Sequence, residues 1–209
     1  MQQLYPKEYL DFYVLNSQGM DLSNRKIYLN GEISIEWANA IVTAIDYFNN
    51  EKHCPNTHHD PIEIMINSLG GQDDAMMAIH DSIVNSKAEI TTIGTGMVCS
   101  AATLPLVCAD KRKATENCWA MIHKGATTLS GDEDEIQAGA ELHKAISSVY
   151  WRLMSRYTKW TATKWLTSVK KKGELWLDSQ EMLERGLIDE IIQPSRRTLE
   201  PLPTRKLTV

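Results

Sequence analysis

No two cysteines in this chain stand at CxxC spacing, no apolar run approaches bilayer length, and neither internal repeats nor low-complexity tracts occur. Each absence excludes a class of protein. The four cysteines, Cys54, Cys99, Cys108 and Cys118, form no disulfide framework, so they read as compact free thiols in a reducing compartment. The longest nearly apolar stretch, Ala101 to Ala109, is far shorter than the roughly 20 residues of a membrane-spanning helix. Positive charge is not in excess: 22 Lys and Arg face 27 Asp and Glu, a net charge of −5. That balance argues against a surface built to hold a nucleic-acid backbone. The opening MQQLYPKEYL lacks a basic segment followed by an apolar one, and the expectation is a soluble cytoplasmic protein with no secretory signal and no membrane anchor. His53, Cys54, His58, His59 and Asp60 crowd one polar stretch. Their spacing fits no strong metal template, a polar loop is the preferred reading, and neither metal nor cofactor is expected.

What is present is an ordinary globular composition, 43% hydrophobic and 23% charged over 209 residues, enough for one domain with a sizeable core. Lys26–Asn30 and Ile62–Asn67 read as strands, the second ending in the turn Ser68-Leu69-Gly70-Gly71. Between them Trp37, Ile41, Ile45 and Phe48 recur at helical spacing, with Ser34 placed to cap. Met76, Ile79 and Ile83 mark a second helix, and Glu89–Thr95 a third strand broken by Gly94 and Gly96. Ser100 to Cys108 suits a buried helix, and Trp119–His123 a strand end. Leu142, Ile146, Val149 and Leu153 form a long helical stripe reaching towards Tyr157, and Thr161–Lys170 a further helix. Asp178 with Glu181 resembles a capping box for Ser179–Arg185, stopped by Gly186, and Leu187–Gln193 is the last strand. Strands alternating with helices predict a layered α/β domain with mainly parallel pairing.

Three segments bear on chemistry. In Gly96-Met97-Val98-Cys99-Ser100-Ala101-Ala102 a serine follows a strand and a glycine turn at a helix start, where free backbone N–H groups can meet a developing oxyanion. A plain helix cap explains the same serine. The glycines of Asn67-Ser68-Leu69-Gly70-Gly71-Gln72 can bring backbone N–H groups close to a ligand, or merely turn the chain. His123 closes Ala120-Met121-Ile122-His123 and is a base or a structural histidine. Taken singly, none of the three decides.

Taken together, INSLGG (Ile66–Gly71), GMVCSAA (Gly96–Ala102), MIH (Met121–His123) and ERGLIDEII (Glu184–Ile192) stand in the order and approximate spacing of a known family. Over Lys26 to Ile192 the chain resembles the Clp protease proteolytic subunits. The resemblance implies a crotonase-type α/β fold with a protruding helical handle, about residues 124–157, in a peptidase domain at 26–193. Residues 1–25 and 194–209 are then a leading segment and a peripheral tail. It also implies heptameric or double-heptameric rings enclosing the active sites. The activity implied is serine endopeptidase cleavage of peptides and unfolded proteins within an ATP-dependent Clp-type chamber fed by an AAA+ unfoldase. Carried over by position, Ser100 is the nucleophile, His123 the general base, and the N–H groups of Gly71 and Ala101 the oxyanion hole. Gly71, Gln72 and Asp73 on one side and Gly125, Ala126 and Thr127 on the other flank an extended peptide substrate.

The chain departs from the family at defined places. Glu174 stands where the family carries the aspartate of the triad, with Asp178 as competitor, although Asp178 reads as a helix cap. Leu69 replaces the proline of the glycine turn, Lys124-Gly125 replaces Gln-Pro after MIH, and Trp119 or a near neighbour replaces an arginine before it. Lys172-Gly173 replaces a charged pair used between rings. Glu63 and Met65 replace aromatics of the unfoldase-docking pocket, so a standard unfoldase is not expected to dock with normal affinity, because an unpaired carboxylate is costly to bury. A catalytically impaired ring subunit, a phage-type maturation protease and a crotonase-type acyl-CoA enzyme are the alternatives, the last without an adenine-phosphate signature in the sequence.

Overall fold

The computed structural model describes residues 19–193. The 194–209 tail, and all of the leading segment before residue 19, lie outside the described residues. The architecture is a mixed sheet with helices packed on it. β1 (Met20–Asp21) pairs antiparallel with β2 (Lys26–Ile33), which runs parallel to β3 (Ile62–Gly71). β3 pairs with β4 (Ile90–Cys99), β4 with β5 (Lys111–Thr115), and β5 with β8 (Glu190–Ile192), all in parallel. β6 (Trp119–Ile122) pairs in parallel with β4, and β7 (Leu175–Leu177) adds to β6 antiparallel.

The central strand changes partner midway. Thr91–Gly94 of β4 pair with β5, whereas Met97–Cys99 pair with β6. The glycines expected to break this strand mark that switch instead. Gly96 has φ +57, and a Cβ there would lie 2.8 Å from Asn67 Oδ1. The sheet thereby opens into two limbs, and the second limb carries the chain end at Cys99 towards the end of β6.

The helices follow the apolar periodicity. α1 (Ile35–Asn49) is capped by Ser34, whose hydroxyl accepts from Trp37 N–H, and buries Ala38, Ile41, Ala44, Ile45 and Phe48. α2 (Asp73–Val84) buries Ala75, Met76, Ile79, His80 and Ile83. A 3₁₀ turn (Ser100–Ala102) leads into the wholly buried α3 (Thr103–Val107). The long α4 (Glu133–Tyr157) buries only Tyr150, Trp151 and Met154, so its first half stands away from the core and Leu142 is 61% exposed. α5 (Ala162–Lys172) inserts Trp165 into the core. α6 (Ser179–Arg185) has the expected capping box from Asp178 and Glu181 and stops at Gly186 in the left-handed conformation.

Several readings differ from the structure. The last strand, expected over Leu187–Gln193, is only Glu190–Ile192, because Leu187 and Ile188 are buried in the turn after α6, and β7 at Leu175–Leu177 has no counterpart among the expected strands. Ser68–Gly71 is not a turn but the end of β3, because Glu32 and Ile33 supply pairing for Gly70 and Gly71. Ser100–Cys108 is not one helix: the left-handed φ of +52 at Ser100 cannot propagate an α-helix. β5 was hidden because KRKAT has no apolar alternation. Its cations are held by partners instead, Lys111 by Glu89 at 2.7 Å and Lys113 by Glu190 at 2.7 Å.

Arg112, also on β5, ties three elements together. Its Nε and Nη2 donate to the Asp189 carboxylate at 2.9 and 2.5 Å, and Nη1 donates to the carbonyls of Tyr157 and Gly186 at 2.6 and 2.8 Å. The hydrogen bonds from Arg112 hold the Asp189 carboxyl below its ordinary value. A lowered carboxyl stabilises the fold fully above the unfolded value, and that contribution fades as pH falls through the folded one. Thermal melts between about pH 5 and pH 3 should therefore fall more steeply in the wild-type chain than in Asp189→Asn. Because Asp189 is half exposed, the difference is expected to be modest; parallel curves would contradict it.

Candidate active site

The site is assembled where β3, β4 and β6 end together. Ser100 follows β4 at φ +52, a conformation that costs a non-glycine residue on the order of 1–3 kcal/mol unless its surroundings enforce it. Here they do. A Cβ on Gly70 would sit 2.7 Å from Ser100 Cβ and 3.0 Å from Ala101 N, so glycine alone lets β3 press against the serine turn. The Ser100 carbonyl accepts from Thr103 Oγ1 at 2.7 Å, and Thr103 Oγ1 lies 2.7 Å from the buried Tyr150 hydroxyl on α4. With the threonine proton already committed, Tyr150 is the donor in that second bond. Burial pushes the Tyr150 phenol far above its ordinary value, which keeps it a donor at working pH. Upstream, Asn67 Oδ1 accepts from Met97 N–H at 3.1 Å and fixes the approach of β4.

His123 comes from the end of β6, held by the pairing of Met121 with Cys99. The two ends meet: Ser100 Oγ lies 2.6 Å from His123 Nε2. In the tautomer with Nδ1 protonated, the serine hydroxyl donates to Nε2, the arrangement a general base requires.

Glu174 is placed beside this pair but not bonded to it. The β6–β7 register matches Ile122 with Leu175, and one further antiparallel step sets Glu174 opposite His123. Its exposed carboxylate instead accepts from the Trp176 indole N–H at 3.0 Å. Among the described residues, no carboxylate is hydrogen-bonded to His123. The competitor Asp178 is engaged elsewhere, accepting from Glu181 N–H at 2.7 Å as the cap of α6. Burial, with a smaller contribution from the Glu174 charge, raises the Cys99 thiol, so the neighbour of Ser100 is an inert hydrophobe.

The glycine pair of β3 faces the serine. Gly70 and Gly71 have φ +100 and +154, and a Cβ on Gly71 would lie 2.1 Å from the Ile33 carbonyl oxygen. This close packing seats Gly71 against β2, while Gly70 is the glycine packed against Ser100 and the Ala101 backbone N. Gly71, Gln72, Asp73, Gly125, Ala126 and Thr127 line one open groove with Ser100 and His123. The Gln72 side chain braces its wall by accepting from Ile35 N–H at 3.0 Å. A smaller cavity beneath Ser100 is bounded by Met76, Ala101, Ile146 and Tyr150. Of the residues singled out in the sequence, Ser100, His123, Gly71, Gln72, Asp73, Gly125, Ala126 and Thr127 line this groove and Ala101 the adjoining cavity, whereas Glu174 and Asp178 line neither. Asn67, Thr103 and Tyr150 were missed. The only signal for Thr103 was its position three residues after Ser100, and nothing local marked Tyr150, which arrives from a distant helix.

Comparison with known proteins bears on the same region. The Clp protease family model matches residues 13–195. The chain belongs to the Clp protease family. The curated Clp protease proteolytic subunit 2 of Treponema denticola is 33% identical over 178 residues, 81% of this chain and 82% of that one. The Clp protease proteolytic subunit of Deinococcus radiodurans is 26% identical over 177 residues, 84% of this chain and 83% of its own. Among solved structures, an asparagine-to-aspartate variant of ClpP1 from Listeria monocytogenes superposes with a TM-score of 0.72 at 27% identity, covering 83% of this chain and 94% of that one. The fold is accordingly that of the Clp proteolytic subunits, a family of serine-type endopeptidases.

The Thr103 relay gives a stability test. Thr103→Val removes the hydroxyl's bond to the Ser100 carbonyl, though not that of the Thr103 N–H, and strands the Tyr150 hydroxyl in the core, which should cost about 1–3 kcal/mol in urea unfolding and lower the reactivity of Ser100. Tyr150→Phe keeps the Thr103–Ser100 bond and should cost less. Equal effects would show that the relay does not hold the turn.

Proposed function

We propose that this chain is a peptidase subunit in which Ser100 attacks the peptide carbonyl and His123 accepts its proton. His123 then returns the proton to the leaving amine, and water repeats the cycle on the acyl-enzyme. The observation that carries this reading is the 2.6 Å contact from Ser100 Oγ to His123 Nε2 at a serine held in a left-handed turn. The amides of Gly71 and Ala101 stabilise the tetrahedral oxyanion, each donor of this kind being worth about 3 kcal/mol. The substrate lies extended along Gly71–Asp73 and Gly125–Thr127, its backbone adding as a strand, so that main-chain pairing supplies affinity across many sequences.

Glu174 is the third member in this reading, swinging from Trp176 to His123 Nδ1 in the competent state. The register of β6 and β7 supports the placement, and the Trp176 bond marks the resting state as incompletely aligned. The same bond favours a second reading, a ring subunit of low intrinsic activity whose role is structural or regulatory.

Assembly follows from the unpacked part of the molecule. Helix α4 carries Ile136 and Leu142, 42% and 61% exposed, on a half that contacts little of its own core. This supports its use as the handle between rings, with heptamers enclosing the site. An AAA+ unfoldase delivers protein substrates in this scheme. Glu63, one of the residues at the docking position, is paired with Lys26 at 2.9 Å, which lowers the cost of covering it but leaves the pocket more polar than an aromatic one.

Hydrolysis of fluorogenic peptides by the full chain tests the mechanism. Ser100→Ala and His123→Ala should each lower kcat by about 10⁶-fold. Glu174→Gln should lose less than the roughly 10⁴-fold seen when a fully built triad loses its acid. Wild-type-like turnover by Ser100→Ala would overturn the assignment, and an inactive wild-type ring would favour the structural role.

A further inference from the structure

The smaller cavity beneath Ser100 has an unusual wall. Met76 of α2 and Ile146 and Tyr150 of α4 supply apolar and aromatic surface, as expected of a pocket for the side chain preceding the cleaved bond. Asp73, the first residue of α2, lines both this cavity and the open groove. Its carboxylate is 43% exposed, and the nearest ionisable side chain is His143, whose Nδ1 lies 3.9 Å away. Among the described residues, the Asp73 carboxylate accepts no side-chain hydrogen bond.

An under-coordinated carboxylate beside apolar walls matches one kind of side chain. Lysine and arginine carry three or four methylenes that lie along apolar surface while the cationic head reaches a polar partner. Glu32 and Asp74 line the adjoining groove and give the approach the same negative sign. The opposing charge is Lys124, which borders the cavity, but its side chain is exposed and can extend into water. We propose that Asp73 makes this site selective for substrates with a basic residue, arginine or lysine, immediately before the scissile bond. The cation bonds to the Asp73 carboxylate, and the stem lies against Ile146 at the mouth of the cavity.

This inference rests on the peptidase reading, and a binding experiment separates the two. Fluorescent peptides differing only in arginine, leucine or glutamate at that position are titrated by anisotropy against the full-length Ser100→Ala chain. The arginine peptide should bind about tenfold tighter than the leucine peptide, the size of one charge-assisted hydrogen bond, and the glutamate peptide weakest. In Ser100→Ala/Asp73→Asn, which keeps side-chain shape, the arginine-to-leucine ratio should fall to about one. In Ser100→Ala/Glu32→Gln the ratio should persist, since Glu32 lines only the outer groove. Equal binding of arginine and leucine peptides, a preference that survives Asp73→Asn, or one lost equally in Glu32→Gln would each overturn the role of Asp73. Selective binding by Ser100→Ala without cleavage of the same peptides by the wild-type chain would leave the pocket intact and remove the peptidase reading instead.

Discussion

The left-handed turn at Ser100 is the constraint on which the rest of the site depends. A serine at φ +52 would relax into an ordinary helix start if its neighbours allowed it. Gly70 is packed against its Cβ and Thr103 holds its carbonyl, so relaxation is blocked from both sides. The side chain is thereby pushed out of the strand-to-helix junction towards the end of β6, where His123 meets it. Sheet register, glycine packing and the contact from α4 through Tyr150 all converge on one torsion angle. Local backbone strain is tolerated only where surrounding structure over-determines it, and here the surroundings are the end of β3, the start of α3 and helix α4.

Much of this was legible in the sequence because it is written in short-range chemistry. Helix caps at Ser34 and Asp178, the apolar stripe of α1 and the stop at Gly186 are local preferences that tertiary structure had no reason to override. The family resemblance brought Ser100, His123 and the glycine pair to a single cleft. What could not be read was non-local. β5 is a row of cations satisfied by Glu89, Asp189 and Glu190, and such pairing leaves no apolar alternation to detect. The extension of β3 through Gly71 depends on Glu32 and Ile33 of another strand. Tyr150 reaches Thr103 from 47 residues away, so no spacing rule reveals it.

The departures from the family pattern named in the sequence leave intact the fold, which superposes on a Clp proteolytic subunit with a TM-score of 0.72. The parallel sheet, its aliphatic filling and the glycines under Ser100 are those of a Clp proteolytic subunit. Two of the changes are engaged in the structure by local partners, Glu174 by Trp176 and Glu63 by Lys26. A scaffold that fixes the serine and histidine through backbone packing can absorb such changes without losing the nucleophile. Such a scaffold explains why the Ser100–His123 contact is intact while Glu174 is bonded to Trp176.

Covalent labelling of the full chain with a fluorophosphonate, followed by mass mapping of the modified peptide, tests the central claim most directly. A serine activated by His123 should carry the adduct at Ser100, and labelling should be suppressed in His123→Ala, where the hydroxyl has no base. An unlabelled chain, or an adduct on any other residue with Ser100 unmodified, would contradict the account.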